Sequence, residues 1–235
     1  MLPEKPTPRE PVMPDPLIFD VNETLLDMAA MDPLFERFSS RPGLRGEWFS
    51  ILKESWLVDT VNGDYQPFGV LAKAALVALG RVHGFPVSDA DQGALIQALT
   101  HLPAHPEVPA ALARLRNAGF SLVAFSNGTD EALATQLDHA GLRNYFDRVL
   151  TVQTKRNYKP AVAAYRWVAG QLAVEPEAMT MIAAHGWDLT GAARAGCRTA
   201  FVARPGKVLN PSGATPDMIG ADLNAVADQL LAASG

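Results

Sequence analysis

Short apolar segments alternate with helix-like segments along the second half of the chain. The segments LVAF, RVL, MIAA and TAFV are flanked by stretches whose apolar residues recur at helical spacing. Strands that alternate with helices in this way predict a parallel sheet covered by helices on both faces. The pattern therefore indicates the α/β class, in which ligands bind at the carboxyl ends of the strands.

The first predicted strand, within PLIFDV, lies far from the others along the chain. Between it and the second strand, residues 25–105 show only helix-like patterns. We therefore expect a Rossmann-like parallel-sheet core formed by residues 16–24 and 106–235, with a helical cap of residues 25–105 inserted after the first strand. Residues 1–15 are rich in proline, which removes backbone donors and blocks helix. We expect them to form a disordered tail.

Composition excludes several classes of partner. The net charge is −5, which gives no electrostatic case for binding nucleic acid or an anionic membrane surface. No apolar run approaches the roughly 18 residues that a membrane span needs. The one cysteine, Cys197, excludes an intramolecular disulfide and a cysteine metal cluster. We expect a cytoplasmic protein that binds neither membrane nor nucleic acid.

Asp20 follows an apolar strand directly, in the segment LIFDVNETLLD. Its carboxylate should be ionised at neutral pH, because an unperturbed aspartate has a pKa of about 3.9. It can act as a nucleophile and form an ester or acyl phosphate, or it can simply cap a turn. Taken alone, capping is the commoner role. Three later strand ends that carry complementary polar groups favour the nucleophile.

The second and third of these strand ends supply hydrogen-bond donors and a cation. Ser126 and Asn127 could hold an oxyanion or a substrate carboxylate, or could serve only the turn at Gly128. Lys159 precedes Pro160, a residue suited to the first position of a helix. A lysine at a helix start is locally unfavourable, which predicts Asp20 as its anionic partner. A solvated surface lysine is the alternative.

The fourth strand end carries His185 and Asp188. His185 titrates near neutrality and could be a general base, although a lone histidine is more often structural. Asp188 could cap the following helix or orient His185. Since Lys159 should lower the pKa of Asp188, we expect Asp188 to be the weaker base.

These four blocks, in this order, resemble the motifs of the haloacid dehalogenase superfamily. FDVNETLLD resembles its first motif, FSNG its second, YKP its third and HGWDLTGA its fourth. The longer matches FDVNETL, KPAVAAY and GWDLTGAARAG resemble the 2-haloacid dehalogenase branch. The resemblance implies a Rossmann-like core with a helical cap between the first and second motifs.

The resemblance also implies roles for individual residues. It makes Asp20 the nucleophile, Thr24 its supporting hydroxyl and Lys159 the lysine that pairs with Asp20. With His185 added from its position, the catalytic candidates are Asp20, Lys159, His185 and Asp188, and the substrate-binding candidates are Asn22, Thr24, Ser126, Asn127 and Tyr165.

Asn22 and Ala184 separate this chain from the phosphatases of the superfamily. In the phosphatases of the superfamily that this chain resembles, an acid–base aspartate stands at the position of Asn22. A metal-binding aspartate stands there at the position of Ala184. Asparagine cannot exchange the proton of a leaving alcohol, whereas a halide needs no proton. Fewer carboxylates also disfavour Mg²⁺, which prefers oxygen ligands. We expect no metal and no cofactor.

The leading hypothesis is a metal-independent hydrolase that dehalogenates a small 2-haloacid through an ester on Asp20. The dehalogenases use a cap arginine, but the segment GEWFSILKESW has no arginine after Arg45. Alternatives are a hydrolase of another small carboxylic acid, such as a strained azetidine-carboxylate ring, a Mg²⁺-dependent phosphatase, or a non-catalytic binding protein. Cap surfaces rich in Trp and Phe would allow a homodimer.

Overall fold

Six parallel strands form one sheet in the computed structural model, which describes residues 15–233. The strands are β1 (Leu17–Phe19), β2 (Leu122–Ser126), β3 (Arg148–Thr151), β4 (Thr180–Ala183), β5 (Arg198–Val202) and β6 (Met218–Gly220). Their order is β3-β2-β1-β4-β5-β6, so β1 lies between β2 and β4. The chain winds outward from β1 in both directions, which places a crevice at the carboxyl ends of β1 and β4. The predicted α/β fold is confirmed.

Nine α-helices are present among residues 15–233. They are α1 (Asp32–Glu36), α2 (Leu44–Asn62), α3 (Phe68–His83), α4 (Asp89–Thr100), α5 (Val108–Asn117), α6 (Asp130–His139), α7 (Val162–Leu172), α8 (Gly186–Ala195) and α9 (Leu223–Ala233). The first five lie between β1 and β2 in sequence, and α1 to α4 fall within residues 25–105, the range expected for the inserted cap. Within residues 15–233, no helix is long and apolar enough to cross a membrane.

The central strands are buried along their whole length. Every residue of β1, β2 and β4 is buried, which explains why these strands read as continuous apolar runs rather than alternating ones. The register aligns Phe19 with Ala124 of β2 and with Ile182 of β4. Residues that follow these positions therefore emerge at the same edge of the sheet.

The cap is joined to the core where its two connecting segments meet. Leu26 forms an antiparallel bridge with Ala104, and the backbone N–H of Asp27 donates to the carbonyl of Pro103 at 2.8 Å. The N–H of His105 donates back to the carbonyl of Leu25 at 2.9 Å. We propose that the cap comprises residues 25–105, the range expected from the sequence. The hydrogen bonds between the two connecting segments support this division. Residues 1–14 of the predicted tail lie outside the described residues.

Two elements differ from the sequence prediction. The segment LDMAAMDPLFERF, predicted as one helix, is a 3₁₀ turn at Met28–Met31 followed by the short α1. Asp27 starts the turn by accepting a hydrogen bond from the N–H of Ala29 at 2.8 Å. Strand β6 was not predicted, because it has only three residues, of which Gly220 alone is buried, and they form no longer apolar run.

Candidate active site

Asp20 follows β1 and is buried at the crevice. Its Oδ1 accepts a hydrogen bond from Lys159 Nζ at 2.8 Å, and its Oδ2 accepts one from the Thr24 hydroxyl at 2.7 Å. The Thr24 hydroxyl in turn accepts from the N–H of Ala184 at 2.9 Å, which fixes it between β1 and β4. Burial acts to raise the pKa of Asp20, but Lys159 and His185 outweigh it and hold that pKa well below its usual value. Asp20 is therefore an ionised, oriented carboxylate.

Lys159 is fully buried and bridges two carboxylates. Its Nζ donates to Asp20 at 2.8 Å, to Asp188 Oδ2 at 2.6 Å and to the carbonyl of Phe125 at 3.2 Å. Burial lowers the pKa of Lys159, but the charges of Asp188 and Asp20 raise it above its ordinary value. The surface alternative for Lys159 is thus wrong. The predicted reason for the pairing is also wrong, because α7 begins at Val162 and Lys159 lies in the preceding loop.

Asp188 lies inside the first turn of α8 and does not cap that helix. His185 is the N-cap residue, and no side-chain cap bond is present there. Asp188 Oδ1 accepts from the Tyr165 hydroxyl at 2.6 Å, while Oδ2 accepts from Lys159. Burial, with the charge of Asp20, raises the pKa of Asp188 despite the contact with Lys159. The expectation of a lowered pKa was wrong, because it counted the charge pair and omitted desolvation.

His185 contacts a different acid from the one predicted. Its Nδ1 lies 3.0 Å from Asp20 Oδ2, and its Nε2 lies 2.7 Å from Glu23 Oε2. Glu23, not Asp188, therefore orients this ring. The ring is also stacked between Phe49 and Trp187. Burial lowers the pKa of His185, but the bonds to Asp20 and Glu23 raise it above its ordinary value.

Glu23 is a charged residue of the site that the sequence analysis missed, as it missed the aromatic residues of the pocket wall. It is buried, and its Oε2 also pairs with Lys207 Nζ at 2.5 Å, while Oε1 lies 3.5 Å from Arg45 Nη1. Burial acts to raise its pKa, but His185 and Lys207 bring the pKa of Glu23 down to about 2. Its position inside the first motif, between Asn22 and Thr24, was the one available signal.

The predicted substrate-binding residues divide into two groups. Asn22, Ser126 and Asn127 line the catalytic pocket. Asn127 also fixes the backbone of Lys159, donating to its carbonyl at 3.2 Å and accepting from its N–H at 2.9 Å. Thr24 and Tyr165 are not part of the pocket wall and instead hold Asp20 and Asp188. Their predicted role as substrate ligands is therefore not supported by their positions.

The catalytic pocket is small and its cap side is aromatic. Its volume is about 20 Å³, and it is lined by Asp20, Asn22, Phe49, Trp56, Phe68, Ser126, Asn127, Lys159, His185 and Trp187. A second, mainly apolar cavity of about 460 Å³ shares Asn22 and Phe68 with it. No arginine lines the catalytic pocket, because Arg45 pairs with Asp32 at 2.6 Å and with Glu23. The cap arginine of the dehalogenases therefore has no counterpart in this wall.

Metal ligation has little support in the donor set. Within residues 15–233, no three His, Cys, Asp or Glu side chains are grouped so that they could hold a metal ion. Asp20 and Asp188 are both engaged by Lys159, and Ala184 offers no side-chain ligand. The absence of a metal requirement stays a prediction, and its test is activity in the presence of a chelator.

The fold and the site together are those of an enzyme with a Rossmann-like parallel-sheet core and a buried carboxylate at the crevice of the sheet. The chain belongs to the haloacid dehalogenase-like hydrolase family, whose model matches residues 16–196. The resemblance to that family, inferred from the four motifs, is thus confirmed.

Individual relatives extend over most of the chain. The (S)-2-haloacid dehalogenase of Pseudomonas sp. (strain YL) is 30% identical over 226 residues, covering 93% of this chain and 95% of its own. The (S)-2-haloacid dehalogenase of Xanthobacter autotrophicus is 32% identical over 195 residues, covering 80% of this chain and 74% of its own. A structure of L-2-haloacid dehalogenase from Xanthobacter autotrophicus, with chloropropionic acid covalently bound, matches with a TM-score of 0.85. At 23% identity, covering 93% of this chain and 98% of that one, this likeness shows the fold.

Proposed function

We propose that the protein hydrolyses the carbon–halogen bond of small 2-haloacids through an ester on Asp20. The observation that carries this proposal is Asp20 itself, an ionised and buried carboxylate held by Lys159 and Thr24 at the crevice of the sheet. Asn22 occupies the position at which the phosphatases of the superfamily carry the aspartate that protonates a leaving alcohol. The names of the relatives, (S)-2-haloacid dehalogenases, support halide as the leaving group.

The first half of the reaction is a displacement at C2 of the substrate. A carboxylate oxygen of Asp20 forms a bond to C2, and the C2–halogen bond breaks with its electron pair going to the halide. Ser126 and Asn127 lie beside Asp20 in the pocket wall and would hold the substrate carboxylate there. Holding the acid in this position aligns C2 with Asp20 and lowers the entropic part of the barrier.

The second half is hydrolysis of the ester, for which we propose His185 as the base. Burial lowers the pKa of His185, but the hydrogen bonds and charges of Asp20 and Glu23 raise it above its ordinary value while Asp20 is ionised. Ester formation removes the charge of Asp20, so the pKa of His185 falls, the proton on Nδ1 is released to solvent, and Nδ1 can then accept a proton from water. Water attacks the carbonyl carbon of the ester while Nδ1 takes one of its protons. The bond from the carbonyl carbon to the product oxygen breaks, the second proton of that water passes to this oxygen, and the 2-hydroxy acid leaves as Asp20 regains its charge. Glu23 holds Nε2–H throughout, because its pKa of about 2 keeps it ionised.

The test is halide release from a panel of 2-chloro- and 2-bromoacids, with EDTA present. Phosphate esters and a strained-ring amino acid serve as comparison substrates. We expect halide release, and we expect Asp20→Asn to abolish it while the protein still unfolds cooperatively. In a single turnover in ¹⁸O-water, the label should enter Asp20 rather than the first hydroxy acid formed. Label found directly in that first product would exclude the ester.

We also propose a cytoplasmic location and a homodimer. The single cysteine supports the location. The expected reason for dimerisation was wrong, since the large aromatic residues Trp48, Trp56 and Phe35 of the cap are buried. Support comes instead from the aliphatic residues Val58 and Val61, which are exposed on α2.

A further inference from the structure

Trp56 has a buried indole N–H without a hydrogen-bond acceptor among the described residues. It lies on α2, is 1% exposed and forms part of the catalytic pocket wall. Trp48, two turns earlier on the same helix and equally buried, donates its N–H to the carbonyl of Ala72 at 3.0 Å. Of the two buried indoles on α2, that of Trp48 therefore has a hydrogen-bond acceptor within the protein. That of Trp56, at the catalytic pocket, has none among the described residues.

A buried donor of this kind calls for an acceptor that enters the site. Buried N–H groups without acceptors are rare in folded proteins because they have lost water and gained nothing in exchange. The ring of Trp56 is held by four aromatic side chains, namely Phe49, Phe68, Tyr158 and Trp187. Among these, the Tyr158 hydroxyl donates to the carbonyl of Gln66 at 2.6 Å. The indole N–H is thus preorganised.

The topology of the pocket indicates which acceptor this is. Asp20 comes from the core sheet, whereas Trp56 comes from the inserted helices, so a substrate bound in the pocket lies between them. In an in-line displacement, the leaving atom departs on the side opposite the attacking carboxylate. That side is the aromatic wall, which lacks the arginine used by related dehalogenases.

We propose that the Nε1–H of Trp56 donates a hydrogen bond to the departing halide. This inference rests on the proposed function and adds the group that stabilises the leaving atom. As Asp20 bonds to C2, negative charge grows on the halogen, and a fixed N–H dipole in a dry pocket stabilises that charge. No proton is transferred, and the halide leaves as the anion.

The experiment measures ester formation on Asp20 in single turnovers with 2-chloropropionate and 2-bromopropionate. The variants are Trp56→Phe and a chain with β-(3-benzothienyl)alanine at position 56, which replaces N–H by sulphur and keeps the ring shape. Trp48→Phe is the matched control, since it removes an indole N–H from the same helix outside the pocket. We expect both changes at position 56 to slow ester formation from the chloride by about 10- to 100-fold.

The leaving-group series separates this role from a purely structural one. Chloride is the poorer leaving group and the stronger acceptor, so the loss should be several times smaller for the bromide. Inhibition by free chloride should weaken at position 56 and persist in Trp48→Phe. Equal losses for both halides, or a sulphur analogue as fast as the wild type, would overturn this inference alone. A wild-type chain that releases no halide would overturn the proposed function, and this inference with it.

Discussion

At the scale of single residues, Glu23 has a backbone conformation that glutamate rarely adopts. Its φ is +64°, in the left-handed region where a side chain other than glycine is strained. Such strain costs on the order of 1–3 kcal/mol and persists only where surrounding contacts hold it. Here the contacts are those of the buried carboxylate with His185 and Lys207. A strained carboxylate that holds the ring beside the nucleophile is typical of a functional position.

Glu23→Gln should impair hydrolysis of the ester more than its formation. The amide keeps the shape but cannot stabilise the imidazolium that forms when His185 takes a proton from water. We expect the hydrolytic step to slow by about 10- to 100-fold, less than the roughly 10²- to 10⁴-fold that a general base contributes, because His185 itself is kept. Mass spectrometry of the quenched enzyme should then show a covalent adduct on Asp20. Glu47→Gln is the matched control, because Glu47 forms a similar contact with His83, at 2.8 Å, in the cap.

The same variant should change how stability depends on pH. The folded protein raises the pKa of His185 above its ordinary value of about 6.5. The protonated ring therefore adds stability fully below about pH 6.5, and this part is lost as pH rises through the folded pKa. Removing the charge of Glu23 lowers the folded pKa of His185, so this stabilisation should be smaller and its loss should be complete at a lower pH. The urea midpoints of the wild type and of Glu23→Gln should be measured from about pH 5 to 9. The same pH dependence in both proteins would contradict the conclusion that Glu23 raises the pKa of His185.

The sequence predicted the position of the site better than its contacts. Asp20, Lys159 and His185 could be grouped because the carboxyl ends of parallel strands meet at one edge. The pairing of Asp20 with Lys159 was predicted correctly. The partner of His185 could not be deduced from spacing along the chain, since Asp188 lies three residues from His185 but faces Lys159 and Tyr165. Glu23 gave no periodic signal, and its contact joins residues 162 positions apart.

At the scale of elements, the sequence predicted long helices and buried strands and failed at short segments. Strands β1, β2 and β4 were recognisable because burial on both faces makes them uniformly apolar. Strand β6 and the short α1 depend on tertiary contacts, which local pattern does not contain. The same holds for Lys159, whose loop is fixed by Asn127.

The packing of α8 against this loop gives a test at the scale of elements. A Cβ added at Gly191 would lie 2.5 Å from the carbonyl oxygen of Pro160 and 2.9 Å from Tyr165 Cε2. Gly191→Ala should therefore displace the segment that carries Lys159, lower the free energy of unfolding by about 1–3 kcal/mol and reduce turnover. Denaturant unfolding and halide release would measure the two effects.

Gly170 provides the control for that substitution. It lies in α7, and a Cβ there would meet no atom within 4 Å. Alanine is the better helix former, so Gly170→Ala should raise stability by up to about 1 kcal/mol and leave turnover unchanged. If Gly191→Ala behaved in the same way, the close packing of α8 would not position Lys159.

At the scale of the whole molecule, the proposed dimer depends on the outer face of α2. Val61 is 85% exposed and lies near Val58 and Leu57 on this face. A glutamate at the centre of an apolar interface is costly to bury, so Val61→Glu should convert the dimer to a monomer. Sedimentation velocity measures this directly. Val82→Glu, at another exposed valine of the cap, should leave the assembly unchanged. If the wild-type protein sediments as a monomer, the proposal of a homodimer is wrong.

The 20 Å³ of the catalytic pocket is room for about one water molecule, not for a haloacid. The pocket must therefore enlarge before a substrate can lie against Asp20, and we expect the cap to move away from the core to provide that space. The size of the acids that the enzyme accepts should then depend on how far the cap can move. Phe68 lines both this pocket and the cavity of 460 Å³. We expect a smaller side chain at position 68 to widen the pocket towards that cavity and to admit acids with longer side chains.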